Sequence, residues 1–213
     1  MKKSIRVLLV DDHLLFREGL KFILSDCKDV VIAGEGGTAA EALTLARAVP
    51  SDVMLLDISM PDRNGNEILR QLKKEAPQMA VLILSMHREG LYAVRAIKAG
   101  ACGYLNKQSA PDEVVGALRQ VAAGRKYISA ALAQELADHI SEDRQAAPHE
   151  CLSDREYQVL TMIASGKSVG DIALELSLSV KTVSMYRARL LDKMGLRNNA
   201  EITHYAIRNK LID

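Results

Sequence analysis

Two adjacent aspartates, Asp11 and Asp12, follow the apolar run Ile5 to Val10, and a third, Asp57, sits at the end of the run Val53 to Ile58. Ser85 closes another run, Ala80 to Ser85, and Lys107 lies just past Gly103 to Leu105. In a doubly wound parallel sheet, chemistry gathers at the carboxyl ends of the strands, where the strand order reverses. Strand order 2-1-3-4-5 would make the first and third runs neighbours and bring the three acids together. Three carboxylates that close repel one another by a few kcal/mol per pair at an effective dielectric of about 20. A hard divalent ion such as Mg²⁺, held by one or two carboxylates and several waters, offsets that charge and leaves room for phosphate oxygens. Lys107 adds a second positive charge and Ser85 a hydroxyl donor. This set suits transfer of a phosphoryl group onto Asp57.

The elements that must position these residues are legible from hydrophobic pattern. Five short apolar runs, the four above and Val30 to Gly34, alternate with amphipathic segments, as expected for parallel strands joined by crossover helices. Their near-continuous Val, Ile and Leu content fits strands covered on both faces. Phe16, Leu20, Ile23 and Cys27 form one helical stripe, and Ile68, Leu69 and Leu72 a shorter one. Ser109 is expected to cap a helix from about Ala110 to Ala123 that stops at Gly124. Gly34-Glu35-Gly36-Gly37 lacks the spacing of a dinucleotide-binding loop and reads as a turn. His13 and His87 flank the pocket and read as solvated loop residues rather than ligands.

Composition narrows the class. The 213 residues suit two modest domains, and 48% apolar with 26% charged residues argues against a disordered, collagen-like or membrane-spanning chain. Met1-Lys2-Lys3 is followed only by Val7-Leu8-Leu9-Val10 before the acids, too short for a secretory signal. Cys27, Cys102 and Cys151 cannot all pair, which favours a reducing, cytoplasmic setting over a disulfide framework. Cys151 reads as a bystander thiol, with a redox sensor as the alternative. The expected division is 1–125, a linker at 126–148 with a short helix around Ala130 to Ile140, and 149–213.

The net charge of +1 hides a segregation: Lys181, Arg187, Arg189, Lys193 and Arg197 face a single acid, Asp192, between residues 180 and 197. A basic stripe on a neutral chain points to one polyanion-binding face. The segment is helical throughout. Ser153 and Glu156 are spaced as a capping box, with Leu152 and Tyr157 as its staple. Gly166 ends that helix, Ser168 caps a short second one, and Ser177-Leu178-Ser179 forms a tight turn. A third helix then runs from Val180 to Met194, stopped by Gly195, and a last from about Asn199 to Lys210.

Residues 1–125 resemble a response-regulator receiver domain, through Asp11-Asp12, Asp57-Ile58-Ser59-Met60-Pro61-Asp62-Arg63-Asn64-Gly65, Ser85 and Tyr104-Leu105-Asn106-Lys107. The resemblance implies the flavodoxin-like order 2-1-3-4-5. It also implies Asp57 as phosphoacceptor, Mg²⁺ on Asp12, Asp57 and the Ser59 carbonyl with Asp11 holding its waters, Ser85 and Lys107 on the phosphoryl oxygens, and Tyr104 as an inward-moving switch. Gln108 stands after Lys107 where many receivers have a cis proline, which makes the loop geometry there an open question.

Residues from about Cys151 onward resemble the LuxR-type helix-turn-helix of NarL/FixJ regulators, through Leu152-Ser153-Asp154-Arg155-Glu156, Ile172-Ala173 and Lys181-Thr182-Val183-Ser184. On a helical wheel Val183, Tyr186, Leu190 and Met194 form the buried stripe. Lys181, Thr182, Arg189 and Lys193 then suit DNA phosphates, while Ser184, Met185 and Ala188 reach base edges. Arg187 lies nearer the core edge. Ile202, Tyr205, Ala206 and Ile207 on the last helix serve either a two-fold contact or the core; a dimer implies half-sites about 10 bp apart.

The combined expectation is a two-component transcription regulator, not an enzyme: a sensor histidine kinase phosphorylates Asp57, and the protein, dimeric when phosphorylated, binds double-stranded DNA. The linker and the basic face suggest that the unphosphorylated receiver masks the recognition helix. Two alternatives remain. One is a Mg²⁺-dependent phosphatase, which would need a dedicated acid or base that the sequence lacks. The other is a DNA-binding regulator whose receiver is a phosphorylation-independent dimerisation scaffold.

Overall fold

A computed structural model describes residues 4–58, 60, 65–86, 90–141, 147–209 and 211–212. The chain divides into two compact units, Met1–Glu142 and Asp143–Asp213.

The first unit carries a five-stranded sheet of β1 (Ile5–Val10), β2 (Val30–Gly36), β3 (Val53–Asp57), β4 (Ala80–Ser85) and β5 (Gly103–Asn106). The order is β2-β1-β3-β4-β5 and every pairing is parallel. Strands this apolar can be stable only when covered on both faces, and all five residues of β3 are buried. One face, with Val7, Leu9, Leu55, Leu82, Leu84 and Leu105, packs against α1 (Leu14–Ser25) and α5 (Pro111–Ala122). Leu8, Val10, Met54, Leu56 and Ile83 are buried on the other. There α2 (Ala39–Ala48), α3 (Gly65–Glu75) and α4 (Leu91–Ala99) pack side by side.

Some boundaries differ from expectation for identifiable reasons. The buried ridge of α1 is Leu20 and Leu24, with Phe16 and Cys27 packed against the core and Ile23 only half-buried. Ser109 does not cap α5; Ala110 occupies that position without a side-chain bond. Pro111 starts the helix with its φ already suited to it, and Asp112 and Glu113 complement the dipole. Gly34 to Gly36 belong to β2 rather than to a turn. The β1–β2 register slips between Val7 and Leu8, and a Cβ on Gly34 would stand 3.0 Å from Leu45 Cδ2 and 3.2 Å from Leu8 Cδ2. The glycine is there for close approach. Beyond α5, Tyr127 bridges Gly103 at the sheet edge, and α6 (Ala130–Ser141) follows.

The second unit is helical, with a 3₁₀ turn at Pro148–Cys151, α7 (Asp154–Ala164), α8 (Val169–Glu175), α9 (Val180–Met194) and α10 (Asn199–Arg208). All four helices start on side-chain caps: Ser153 and Ser168 in reciprocal boxes with Glu156 and Asp171, Ser179 on Thr182, and Asn198 on Glu201. Each such cap contributes on the order of 1 kcal/mol, which matters for helices as short as α8. Ile172, Val183, Leu190, Ile202 and Ala206 form the core between them. Of the final-helix residues weighed above, Ile202 and Ala206 are core and Ile207 is 61% exposed.

Candidate functional site

The parallel register sets the receiver pocket. Asp57 is the last residue of β3 and pairs with Leu84, one residue before Ser85. Val10 pairs with Leu56, so Asp11 and Asp12 leave β1 beside Asp57. Asp11, Asp57 and Ser85 are buried. Lys107 follows β5, its backbone N–H donating to the Ser85 carbonyl at 2.7 Å, and all described peptide bonds, Lys107–Gln108 included, are trans.

Lys107 joins the acids. Its Nζ stands 2.7 Å from Asp57 Oδ2 and 2.7 Å from Asp11 Oδ2, with the ring of Phe16 below it at 4.9 Å. One ammonium against three carboxylates leaves the pocket negative, and like charges about 4 Å apart repel by about 4 kcal/mol at an effective dielectric of 20. The consequence is visible at Asp12. Burial pushes its carboxyl above the usual range, the neighbouring Asp57 and Asp11 push the same way, and His13 opposes them. One oxygen of each of the three acids and a ring nitrogen of His13 all lie within 4.8 Å of one another. Converging carboxylate oxygens with excess negative charge are the donor chemistry that a hard divalent cation requires, so the residues present fit Mg²⁺. Tyr104 is fully buried on β5. Ser59, like His87, lies outside the described residues.

His13, read as a solvated loop residue, is exposed as expected, and it also stands against the acids. It is the N-cap of α1, and its Nδ1 approaches Asp12 Oδ1 at 2.8 Å. The signal was its place directly after the acid pair. Arg17, which sequence reasoning passed over, donates from Nη1 to the Asp11 carbonyl at 2.5 Å and from Nε to Glu35.

In the second unit α9 presents Lys181, Ser184, Met185, Ala188 and Arg189 to solvent, with Val183 and Leu190 buried. Thr182 is half-buried, its hydroxyl 2.8 Å from that of Ser179. Arg187 donates to Asn199 Oδ1 at 2.6 Å, consistent with its place at the core edge. Lys193, expected on phosphates, has its Nζ 2.6 Å from Glu156 Oε2. That same oxygen accepts the Ser153 N–H at 2.8 Å.

Comparison with known proteins decides the assignment. Residues 7–119 match the response regulator receiver domain and residues 150–206 the bacterial regulatory proteins of the luxR family. The chain belongs to the LuxR-type response regulators. It is 40% identical over 208 residues to the response regulator UvrY of Escherichia coli O157:H7, covering 97% of this chain and 95% of that one. It is 37% identical over 210 residues to the response regulator GacA of Pseudomonas aeruginosa, covering 98% of each. A solved structure of two RcsB dimers bound to two parallel DNAs aligns over 95% of this chain and 98% of that chain, with TM-score 0.60 and 25% identity. This response regulator is therefore a two-component transcription regulator with a phosphoacceptor-type receiver and a DNA-binding output domain. Its relatives act in transcription rather than as enzymes.

Proposed function

We propose that this response regulator takes a phosphoryl group from a sensor histidine kinase onto Asp57 and thereby controls its binding to double-stranded DNA. The observation that carries the reading is Lys107 Nζ held 2.7 Å from both Asp57 and Asp11 at the carboxyl edge of the sheet. In the transfer the phosphorus–nitrogen bond of the donor histidine breaks as a bond to an Asp57 oxygen forms, and the imidazole keeps the electron pair. Asp11, Asp12, Asp57 and the Ser59 carbonyl would hold Mg²⁺, which supplies charge neutralisation on the transferred group. Lys107 leaves its two carboxylates to take one phosphoryl oxygen, and Ser85 donates to another. Tyr104 follows as the switch, since its strand continues directly into Lys107.

The output face is α9. Lys181, Thr182 and Arg189 meet phosphates, and Ser184, Met185 and Ala188 face base edges. Small and flexible side chains at the reading positions discriminate weakly one by one, so specificity comes from two copies on paired half-sites. The DNA-bound RcsB dimers support that arrangement. Because the output is DNA binding, we infer the cytoplasm as the site of action. No described helix is long and apolar enough to cross a membrane.

Incubation with acetyl phosphate and Mg²⁺, followed by intact-mass measurement, tests the core of the reading. A single phosphoryl adduct is expected in the wild type and none in Asp57→Asn. An adduct that persists in the variant refutes the assignment, and a wild type that stays unmodified favours a receiver acting only as a scaffold.

A further inference from the structure

We propose that His13 is a fourth metal donor in the receiver pocket, turning a site built for hard cations toward borderline transition ions of the Zn²⁺ class. The inference rests on the metal site proposed above and names the residue that sets its selectivity. His13 Nδ1 lies 2.8 Å from Asp12 Oδ1, 3.2 Å from Asp11 Oδ1 and 3.7 Å from Asp57 Oδ2. Two ligands on one ion are separated by an edge that the bond length dictates. That edge is about 3.0 Å for octahedral bonds of about 2.1 Å, and about 3.3 Å for tetrahedral bonds of about 2.0 Å. The three observed separations straddle both values.

The ring is placed by its backbone rather than by chance. His13 caps α1 in extended conformation, and its own N–H donates to Asp11 Oδ1 at 2.8 Å. Lys107 Nζ is 3.4 Å from Nδ1, yet it is drawn to Oδ2 of both Asp11 and Asp57. Oδ1 of Asp11 and Oδ1 of Asp12 thus remain on the histidine side. With the ring 59% exposed, an ion can enter from solvent. Magnesium gains little from imidazole, whereas affinity for nitrogen rises across the first transition row toward copper and zinc. Zinc-class ions bound there would compete with Mg²⁺ for the same carboxylates.

The test uses the full-length protein, with Mn²⁺ as the spectroscopic probe and Zn²⁺ and Mg²⁺ as calorimetric ones. His13→Asn keeps a residue favoured at a helix N-cap, and circular dichroism checks that it folds. Electron spin-echo spectra of the Mn²⁺-loaded wild type should show coupling to a histidine nitrogen that disappears in H13N. Zinc affinity should fall tenfold or more in H13N, roughly what loss of even an outer-shell partner costs, while Mg²⁺ affinity changes by less than about threefold because its oxygen ligands are intact. Mn²⁺ binding that is lost in Asp12→Asn but shows no nitrogen coupling, with an unchanged zinc-to-magnesium ratio in H13N, overturns the role of His13 and leaves the carboxylate site standing. Absence of Mn²⁺ binding, or binding that survives both Asp12→Asn and Asp57→Asn, overturns the metal reading beneath it as well.

Discussion

Replacing Lys193 by alanine separates two roles that its position allows. Its Nζ lies 2.6 Å from Glu156 Oε2, with the lysine side chain 40% exposed and the glutamate 3%. Exposed ion pairs contribute about 0.2–1 kcal/mol, and breaking a buried one costs about 3–5 kcal/mol. With one partner buried and one half in water, Lys193→Ala should cost about 1–2 kcal/mol, because the carboxylate keeps its bond from the Ser153 N–H but loses its counter-charge. For a unit this small that corresponds to about 4–16 °C in melting temperature. Differential scanning calorimetry of the whole chain should show the loss confined to the second unit, and a double-mutant cycle with Glu156→Gln should return most of it as coupling. The pH dependence has a definite sign. Burial raises the Glu156 carboxyl, but Lys193 and the Ser153 bonds outweigh it and hold the group below its ordinary 4.5. The unfolded chain therefore takes up that proton first, and the stabilisation is complete above pH 4.5 and lost as the pH falls below it. Either substitution should flatten that acid limb. In DNA binding, Lys193→Ala should leave the slope of log affinity against log salt unchanged, whereas Arg189→Ala should reduce it by about 0.9. A slope reduced to the same extent by K193A, with no loss of stability, refutes the assignment of Lys193 as a brace.

Gly103→Ala should destabilise the first unit by about 2 kcal/mol through overpacking, since its Cβ would stand 2.8 Å from Leu82 Cδ1 and 2.9 Å from the Tyr127 carbonyl; chemical denaturation of the full chain measures it. Ser153→Ala should cost the second unit about 1 kcal/mol, while Ser109→Ala should cost nothing measurable, because Ser153 caps a helix and Ser109 does not. The Glu75 carboxyl, held down to about 2 by the bidentate Arg47 guanidinium and by Gln71, should rise toward its ordinary value in Arg47→Gln when followed by carboxyl NMR, with Gln71 still holding it somewhat below; an unchanged midpoint would show that the surface pair does not persist in solution.

The extent to which the site was legible follows from what fixed each residue. Asp57, Ser85 and Lys107 are found at strand ends because apolar runs end there, and backbone register alone carries them to one edge of the sheet. The helix boundaries of the second unit follow from caps that span three residues, so Ser153, Ser168, Ser179 and Asn198 could be found by spacing or lay within reach of it. Ser109 misled because a serine two residues before Pro111 resembles a cap, whereas proline itself sets the first helical turn.

What escaped the sequence is contact between side chains far apart in the chain. Lys193 and Glu156 are thirty-seven residues apart, and a helical wheel that places a lysine on a solvent face says nothing of a carboxylate offered by another helix. Glu156 was read correctly as the third residue of a capping box, a role that uses only its link to the Ser153 N–H. Its negative charge remained to be balanced at 3% exposure, and burial makes an unpaired charge too costly to leave. The same reasoning applies to His13, whose neighbours in sequence are acids and whose ring is held over them by the start of α1. In both places the residue type was visible and the partner was not. Looking for the nearest mobile cation, or nearest nitrogen donor, to each buried acid would have pointed to both.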